Sequence, residues 1–191
     1  HREALAHFAE ARRRQPENCD HLFQMARCYN SLEEPEGVRA CLEVLEQLPE
    51  SAARERAISQ ILQLMQLQEE AVEPLKRALA LDPLQRATWQ QLVALLSRLG
   101  RGKEALGILA DLPEGLRDTA LEALLRSQAA WAAGEGEQAV AALRHLGPAH
   151  SFATRLRLAS HLIWLNEPQE AEAELAAAVP ENAAQRAQLE L

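Results

Sequence analysis

Apolar positions along the chain fall into one short motif that returns at a near-constant interval. A small residue is followed four positions on by a large apolar one, and three positions later by a further apolar one. The motif occurs as Ala4-Phe8-Ala11, Val38-Leu42-Leu45, Ala71-Leu75-Ala78, Ala105-Leu109-Leu112, Ala139-Leu143-Leu146 and Ala171-Leu175-Ala178, with anchors separated by 34, 33, 34, 34 and 32 residues. The i, i+4, i+7 spacing is one face of an α-helix. A proline follows each segment, at Pro16, Pro49, Pro83, Pro113, Pro148 and Pro180, where a missing N–H and a fixed φ stop a helix. A second amphipathic run lies upstream of each anchor after Ala4, set off by turn-forming segments such as Ser31-Leu32-Glu33-Glu34-Pro35, Leu99-Gly100-Arg101-Gly102, Ala133-Gly134-Glu135-Gly136 and Asn166-Glu167-Pro168. The predicted unit is helix, tight turn, helix, stop. A lone hairpin of this length cannot bury its apolar stripe, so the units are expected to stack on one another.

The first helices carry Leu22, Met25, Ala26 and Tyr29 in one unit, Trp89, Leu92, Val93 and Leu96 in another, and Leu158, Ala159 and Leu162 in a third. The second-helix pattern is fullest in Ala4, Phe8, Ala11 and Pro16, and in Ala71, Leu75, Ala78 and Pro83. On these residues the chain resembles the tetratricopeptide repeat family over essentially its whole length. The resemblance implies an all-α fold, a right-handed α-solenoid of stacked antiparallel helical hairpins. It implies a single solenoid over residues 1–191, with repeats at 1–18 (second helix only), 19–51, 52–85, 86–118, 119–151 and 152–181, and the start of a further helix at 182–191. An opening on a lone second helix and an apolar last segment (Ala183, Ala184, Ala187, Leu189, Leu191) read as a piece of a longer protein, whose ends a neighbouring element or a second copy covers. Two places depart from the pattern. Arg126 and Ser127 occupy its third and fourth first-helix positions, which predicts a slide of one or two residues there. Glu55 stands where a large residue should open the first helix of residues 52–65.

Composition agrees with an all-helical chain: Ala, Leu, Glu, Gln and Arg dominate, aromatic residues are 4% and hydrophobic residues 48%. A net charge of −8 repels phosphate backbones, so nucleic acid is not an expected partner. Arg12, Arg13 and Arg14 close the first helix, where cations suit the dipole. No run of roughly 18 apolar residues exists, so membrane insertion is not expected. Cys19, Cys28 and Cys41 are odd in number and lack CxxC spacing, which points to buried reduced thiols and a cytoplasmic setting, with a periplasmic or envelope-associated one as the alternative.

The chain lacks a phosphate-binding glycine loop, an HExxH and a GxSxG, and Gly100-Arg101-Gly102 reads as a turn. His145, His150 and His161 fit no helical face shared with a carboxylate or thiolate, and are expected to be solvated or capping. Glu33-Glu34 and Glu69-Glu70 fall at turns and first helical turns, where negative charge is favourable. No catalytic residue, cofactor or metal ligand is expected, and the chain is read as not an enzyme.

What remains is surface. The family resemblance implies that first helices line a concave face receiving an extended peptide or a helix. The residues carried onto that face are Asp20, Phe23, Arg27 and Asn30; Arg56, Gln60 and Gln63; Gln90 and Ser97; Leu124, Gln128 and Trp131; and Leu156, Ser160 and Trp164. Its C-terminal half would be apolar. Phe23, Arg27, Asn30, Arg56, Gln60, Gln90, Gln128, Trp131 and Trp164 are the expected partner-binding residues. Trp131 and Trp164 are either its aromatic anchors or packing between hairpins, whereas Trp89 matches a core position. Co-chaperones of the family that hold acidic tails use Lys and Asn where this chain has Phe23, Arg27, Arg56, Gln60 and Gln90, which argues against that subclass, although Arg27 and Arg56 offer paired donors to a carboxylate. The expected function is a protein–protein interaction scaffold. The alternatives are a regulatory or substrate-presenting arm of a larger enzyme and a self-assembly module joined through open ends. If Ala71 allows close approach of paired helices, Ala71→Leu should overpack the joint and cost roughly 1–3 kcal/mol, read from thermal or urea unfolding.

Overall fold

The structure is a computed structural model that describes residues 1–117, 120–146 and 151–179. Among these residues lie eleven α-helices: α1 (Arg2–Arg14), α2 (Cys19–Ser31), α3 (Pro35–Gln47), α4 (Ala52–Leu64), α5 (Val72–Leu81), α6 (Arg86–Arg98), α7 (Gly102–Ile108), α8 (Ala120–Ala132), α9 (Gly136–Arg144), α10 (Phe152–Trp164) and α11 (Pro168–Ala176). Two short 3-10 turns, Leu109–Asp111 and Glu114–Leu116, follow α7. No strand occurs among the described residues, and no described helix is long and apolar enough to cross a membrane. The chain is all-α, built of antiparallel helical hairpins.

One turn geometry closes five hairpins. Glu33, Gln66, Gly100, Gly134 and Asn166 each take a left-handed φ between 58° and 79°. The next residue's N–H reaches back to a carbonyl five positions earlier: Glu34 to Tyr29, Leu67 to Leu62, Arg101 to Leu96, Glu135 to Ala130 and Glu167 to Leu162, at 2.8–3.0 Å. The left-handed residue itself donates to the carbonyl three positions before it. This paired arrangement satisfies carbonyls that a helix end leaves open and reverses the chain in three residues. Five helix starts are marked as well. Asn18, Ser51 and Ser151 accept from backbone N–H groups at the openings of α2, α4 and α10, while Pro35 and Pro168 open α3 and α11 at positions whose N–H would be unpaired anyway.

Packing divides the chain into two compact units, residues 1–95 and 96–191, with the division inside α6. In the first, α2 packs on α1, α3 and α4, and α4 on α3 and α5. In the second, α7 packs on α8, α8 on α9, α9 on α10, and α10 on α11. The small anchors of the repeat lie at these contacts: Val38, Ala71, Ala105, Ala139 and Ala171 are all buried, and Leu45, Leu75, Leu109, Leu112 and Leu143 fill the spaces beside them. Ala4, Phe8 and Ala11 of α1 are only half-buried. Gly102 permits the tightest approach, since a Cβ there would lie 2.2 Å from the backbone nitrogen of Ala133. Trp89 is buried, as its position predicts, and its indole donates to the Pro83 carbonyl at 2.8 Å.

Both departures from the pattern have structural accounts. Helix α8 does not slide: it spans the same thirteen positions as α6, each moved 34 residues along, and Gly134 follows Gly100 at that interval. Ser127 is fully buried, where a small side chain suffices, and Arg126 turns outward to Glu122 at 2.6 Å. Without a large apolar side chain at Arg126, a cleft of about 500 Å³ opens between α8 and α9, lined by Glu122, Ala123, Arg126, Ala142, His145 and Leu146 among others.

Glu55, 1% exposed, accepts from Arg54 Nη1 and Arg77 Nε at 2.8 Å each. Arg54 also donates to the carbonyls of Leu45 and Glu46 at the end of α3, so one ion cluster joins α3, α4 and α5. Breaking a buried pair from one side leaves its partners uncompensated. Glu55→Ala is therefore expected to cost about 3 kcal/mol in urea unfolding, whereas removing the exposed partner of Arg39 by Glu36→Ala should leave the midpoint nearly unchanged.

Candidate functional site

The residues expected on the first-helix face are not equivalent. In the first unit the Arg27 guanidinium lies over the Phe23 ring, 5.9 Å from its centroid, and donates to Gln24 Oε1 at 3.1 Å. Arg27, Asn30 and Gln90 are exposed, and Phe23, Arg56 and Gln60 are half-buried. The Gln63 amide is turned onto its own helix, donating to the Ser59 carbonyl and hydroxyl.

In the second unit the structure brings Gln128 and Trp131 of α8 together with Ser97 and Arg98 of α6 and Arg157 and His161 of α10, around an open cleft of about 320 Å³. Trp131 is half-exposed. Its ring stacks on His161 with centroids 4.1 Å apart and planes 15° from parallel, which fixes one face of the indole and leaves the remainder at the cleft. Leu124, expected on this face, instead packs against the buried cluster of Val140, Leu143, Leu158, Ala159, Leu162 and Ala171. Trp164 does not line the cleft. It stands 80% exposed at the end of α10, beside Ile163 at 58%, and so is not core packing.

The reading of the histidines as solvated or capping needs one correction. His145 is exposed and caps α9, and His150 lies outside the described residues. His161, however, is buried. It occupies the position that Leu95 and Ala129 hold in the preceding first helices, both buried, so the repeat register places it in the core stripe. Its Nε2 lies 3.3 Å from Ser127 Oγ. This Ser–His pair is not a nucleophile and base presented to a substrate, because Ser127 is fully buried. Burial first, and then the positive charge of Arg157, push the imidazole below its ordinary value of 6.5.

Arg98, Arg157 and His161 were missed as lining residues by sequence reasoning. A signal existed for two of them, since Arg157, His161 and Trp164 recur at i, i+4, i+7 on one face of α10. Elsewhere, Cys19, Cys28 and Cys41 are buried free thiols. Burial raises Cys41 to about 11, against a smaller opposing effect of Arg12, which leaves it unreactive as a nucleophile. Among the described residues no group of three His, Cys, Asp or Glu could hold a metal ion.

The sequence matches no protein-family model, and no curated protein matches it. Solved structures do. TTC0263, a thermophilic TPR protein of Thermus thermophilus, superposes with a TM-score of 0.62 at 19% identity, over 90% of this chain and 97% of its own. MamA 41-end from Desulfovibrio magneticus RS-1 gives 0.59 at 14%, over 82% and 93%. YrrB, a TPR protein with an unusual peptide-binding site, gives 0.52 at 17%, over 96% and 98%. The chain therefore has the tetratricopeptide fold, an all-α helical-repeat solenoid.

The neutral, buried state of His161 makes a pH prediction. Its folded value lies below its unfolded value, so the unfolded chain binds more protons in the interval below 6.5, and stability falls as pH drops into it. His161→Phe keeps a ring against Trp131 but cannot titrate. Urea unfolding at a series of pH values should show wild type losing stability below 6.5 faster than the variant, and parallel profiles would contradict the assignment.

Proposed function

We propose that this protein is an interaction scaffold that receives an extended peptide or a helix of a partner protein on its first-helix surface, with the cleft around Trp131 and Gln128 as the principal contact. The observation that carries the proposal is Trp131 itself: a half-exposed indole, held against His161, at an open cleft. Aromatic side chains fixed in this way lose little conformational freedom on binding and are enriched among residues that dominate interface energies. The fold shared with YrrB, described as having an unusual peptide-binding site, supports the same reading. Trp164 and Ile163 form a second apolar contact, and Phe23, Arg27, Asn30, Arg56, Gln60 and Gln90 supply further contacts. No catalytic step is assigned to the chain. Three buried free thiols support a reducing compartment such as the cytoplasm.

The test is affinity capture from the source-cell lysate with four proteins: wild type, a Trp131→Ala Gln128→Ala variant, a Trp164→Ala variant, and a Glu137→Ala Gln138→Ala control on the exposed side of α9. A partner kept by wild type and control but lost by the Trp131–Gln128 variant is the expected result. Equal capture by all four would place binding off this surface.

A further inference from the structure

One wall of the cleft around Trp131 is a titratable ring. His161 stacks on the indole at 4.1 Å and lines the cleft, although it is only 8% exposed. Cys28, Ile61, Leu95 and Ala129 hold its position in the other first helices, all of them buried. Of these five side chains, the imidazole is the one whose ordinary charge change falls between about pH 5 and 8. The groups facing it do not balance an added positive charge. Arg157 stands one turn away on α10, Arg98 of α6 lines the same cleft, and no Asp or Glu among the described residues does. From α8 the facing groups are Ser127, Gln128 and Trp131, while that helix's Glu122–Arg126 pair lies at the cleft shared with α9. On the remaining neighbours of α10, Glu167 and Glu170 pair with Arg144, Glu174 pairs with Arg155, and Glu137 and Glu172 are exposed. The Ser127 hydroxyl donates to a neutral Nε2 or accepts from a protonated one, so it favours neither state by charge. The indole face and the carbonyl end of α10 favour a cation. Burial, and then Arg157, oppose it more strongly and hold the ring neutral down to a pH below its ordinary 6.5.

We infer that this cleft is gated by pH: protonation of His161 withdraws its imidazole from the stack with Trp131 and releases a segment whose apolar side chain lies against the indole. The inference rests on the proposed peptide-binding reading and adds its regulation. Two effects act with the same sign. An imidazolium is drawn towards water, and its way out is the cleft that it lines, so the indole loses the ring that fixes one of its faces. A segment seated on the cleft also shuts water away from His161, which disfavours the charged ring further. Binding and protonation therefore compete, and by linkage each weakens the other by the same factor. Affinity is full above the folded value of His161 and is lost as pH falls through it. Because that value lies below 6.5, the segment is held at neutral pH and released in acid.

The switch and the binding are tested separately. In NMR spectra of the isotope-labelled chain, recorded from about pH 8 to about pH 5, the Trp131 indole N–H signal, assigned with Trp131→Phe, should shift with the same midpoint as the His161 ring protons. Arg157→Gln, which removes the nearby cation, should move both midpoints upward together, and His161→Phe should abolish the step. An indole signal that does not follow His161 overturns the inference, as does one that moves only in step with loss of the helical circular dichroism signal. For binding, peptides are selected at neutral pH from a phage-displayed random library, keeping those that wild type enriches and Trp131→Ala does not. Their dissociation constants are measured at both ends of the pH range on wild type and on His161→Phe, and the ratio between the two proteins cancels titration of the peptide itself. Wild type should weaken about tenfold more than the variant in acid. Trp131-dependent peptides whose ratio is flat, or that wild type binds more tightly in acid, overturn the gating and leave the groove reading standing. If no enrichment depends on Trp131, the groove reading fails and the gating fails with it.

Discussion

Each hairpin depends on one residue held in the left-handed region of backbone space. Ordinary residues avoid that region because Cβ crowds the following carbonyl, at roughly 1–2 kcal/mol, yet Glu33, Gln66 and Asn166 occupy it alongside Gly100 and Gly134. The compensation is local and repeated. Two backbone hydrogen bonds per turn satisfy carbonyls that would otherwise face an empty position at the helix end. They also bring the second helix back along the first with a fixed three-residue reversal. If that reversal were loose, the small anchors at Val38, Ala71, Ala105, Ala139 and Ala171 would have no fixed partner surface to approach.

Close approach then sets what the core tolerates. At Gly102 even a methyl group would meet the backbone of Ala133, and the buried Ser127 shares its helix position with Ala26, Ser59, Val93 and Ala159, none of them larger than valine. Several polar groups inside this packing are carried with partners, whereas the buried Thr88 hydroxyl has none. Glu55 is shared by two arginines, one of which also satisfies the end of α3. The Ser59 hydroxyl donates to the Ala71 carbonyl at 2.8 Å. His161 sits between Ser127 and the face of Trp131. That last substitution of a polar ring into the repeat's core stripe is what props Trp131 at the cleft, so a packing position and a proposed binding position are mechanically one feature.

How much of this was legible follows from periodicity. The repeat was visible because the anchor, the large residue one turn on and the proline stop recur together six times, and a helix has only one way to place i, i+4 and i+7. Trp89 could be put in the core on the same ground. Glu55 and Ser127 read as flaws because a one-dimensional pattern ranks them by hydrophobicity, whereas the fold ranks them by the partner each meets: Arg77 lies 22 residues from Glu55, and His161 lies 34 from Ser127. The face assignment was mixed for a related reason. Gln128 and Trp131 do meet at one cleft, but Leu124 on the same helix packs inward.

The sequence by itself determined the helix-turn-helix period, the turn positions, the small-residue anchors and the acidic, thiol-bearing character of the chain, because each is encoded within a few neighbouring residues. Tertiary structure alone decided that Trp131 is held by His161, that Trp164 stands free of the core, and that Arg98 and Arg157 line one cleft to which no described acid contributes. Those facts compare side chains from successive first helices, far apart in the chain. Their juxtaposition depends on how successive hairpins stack, which no local propensity carries.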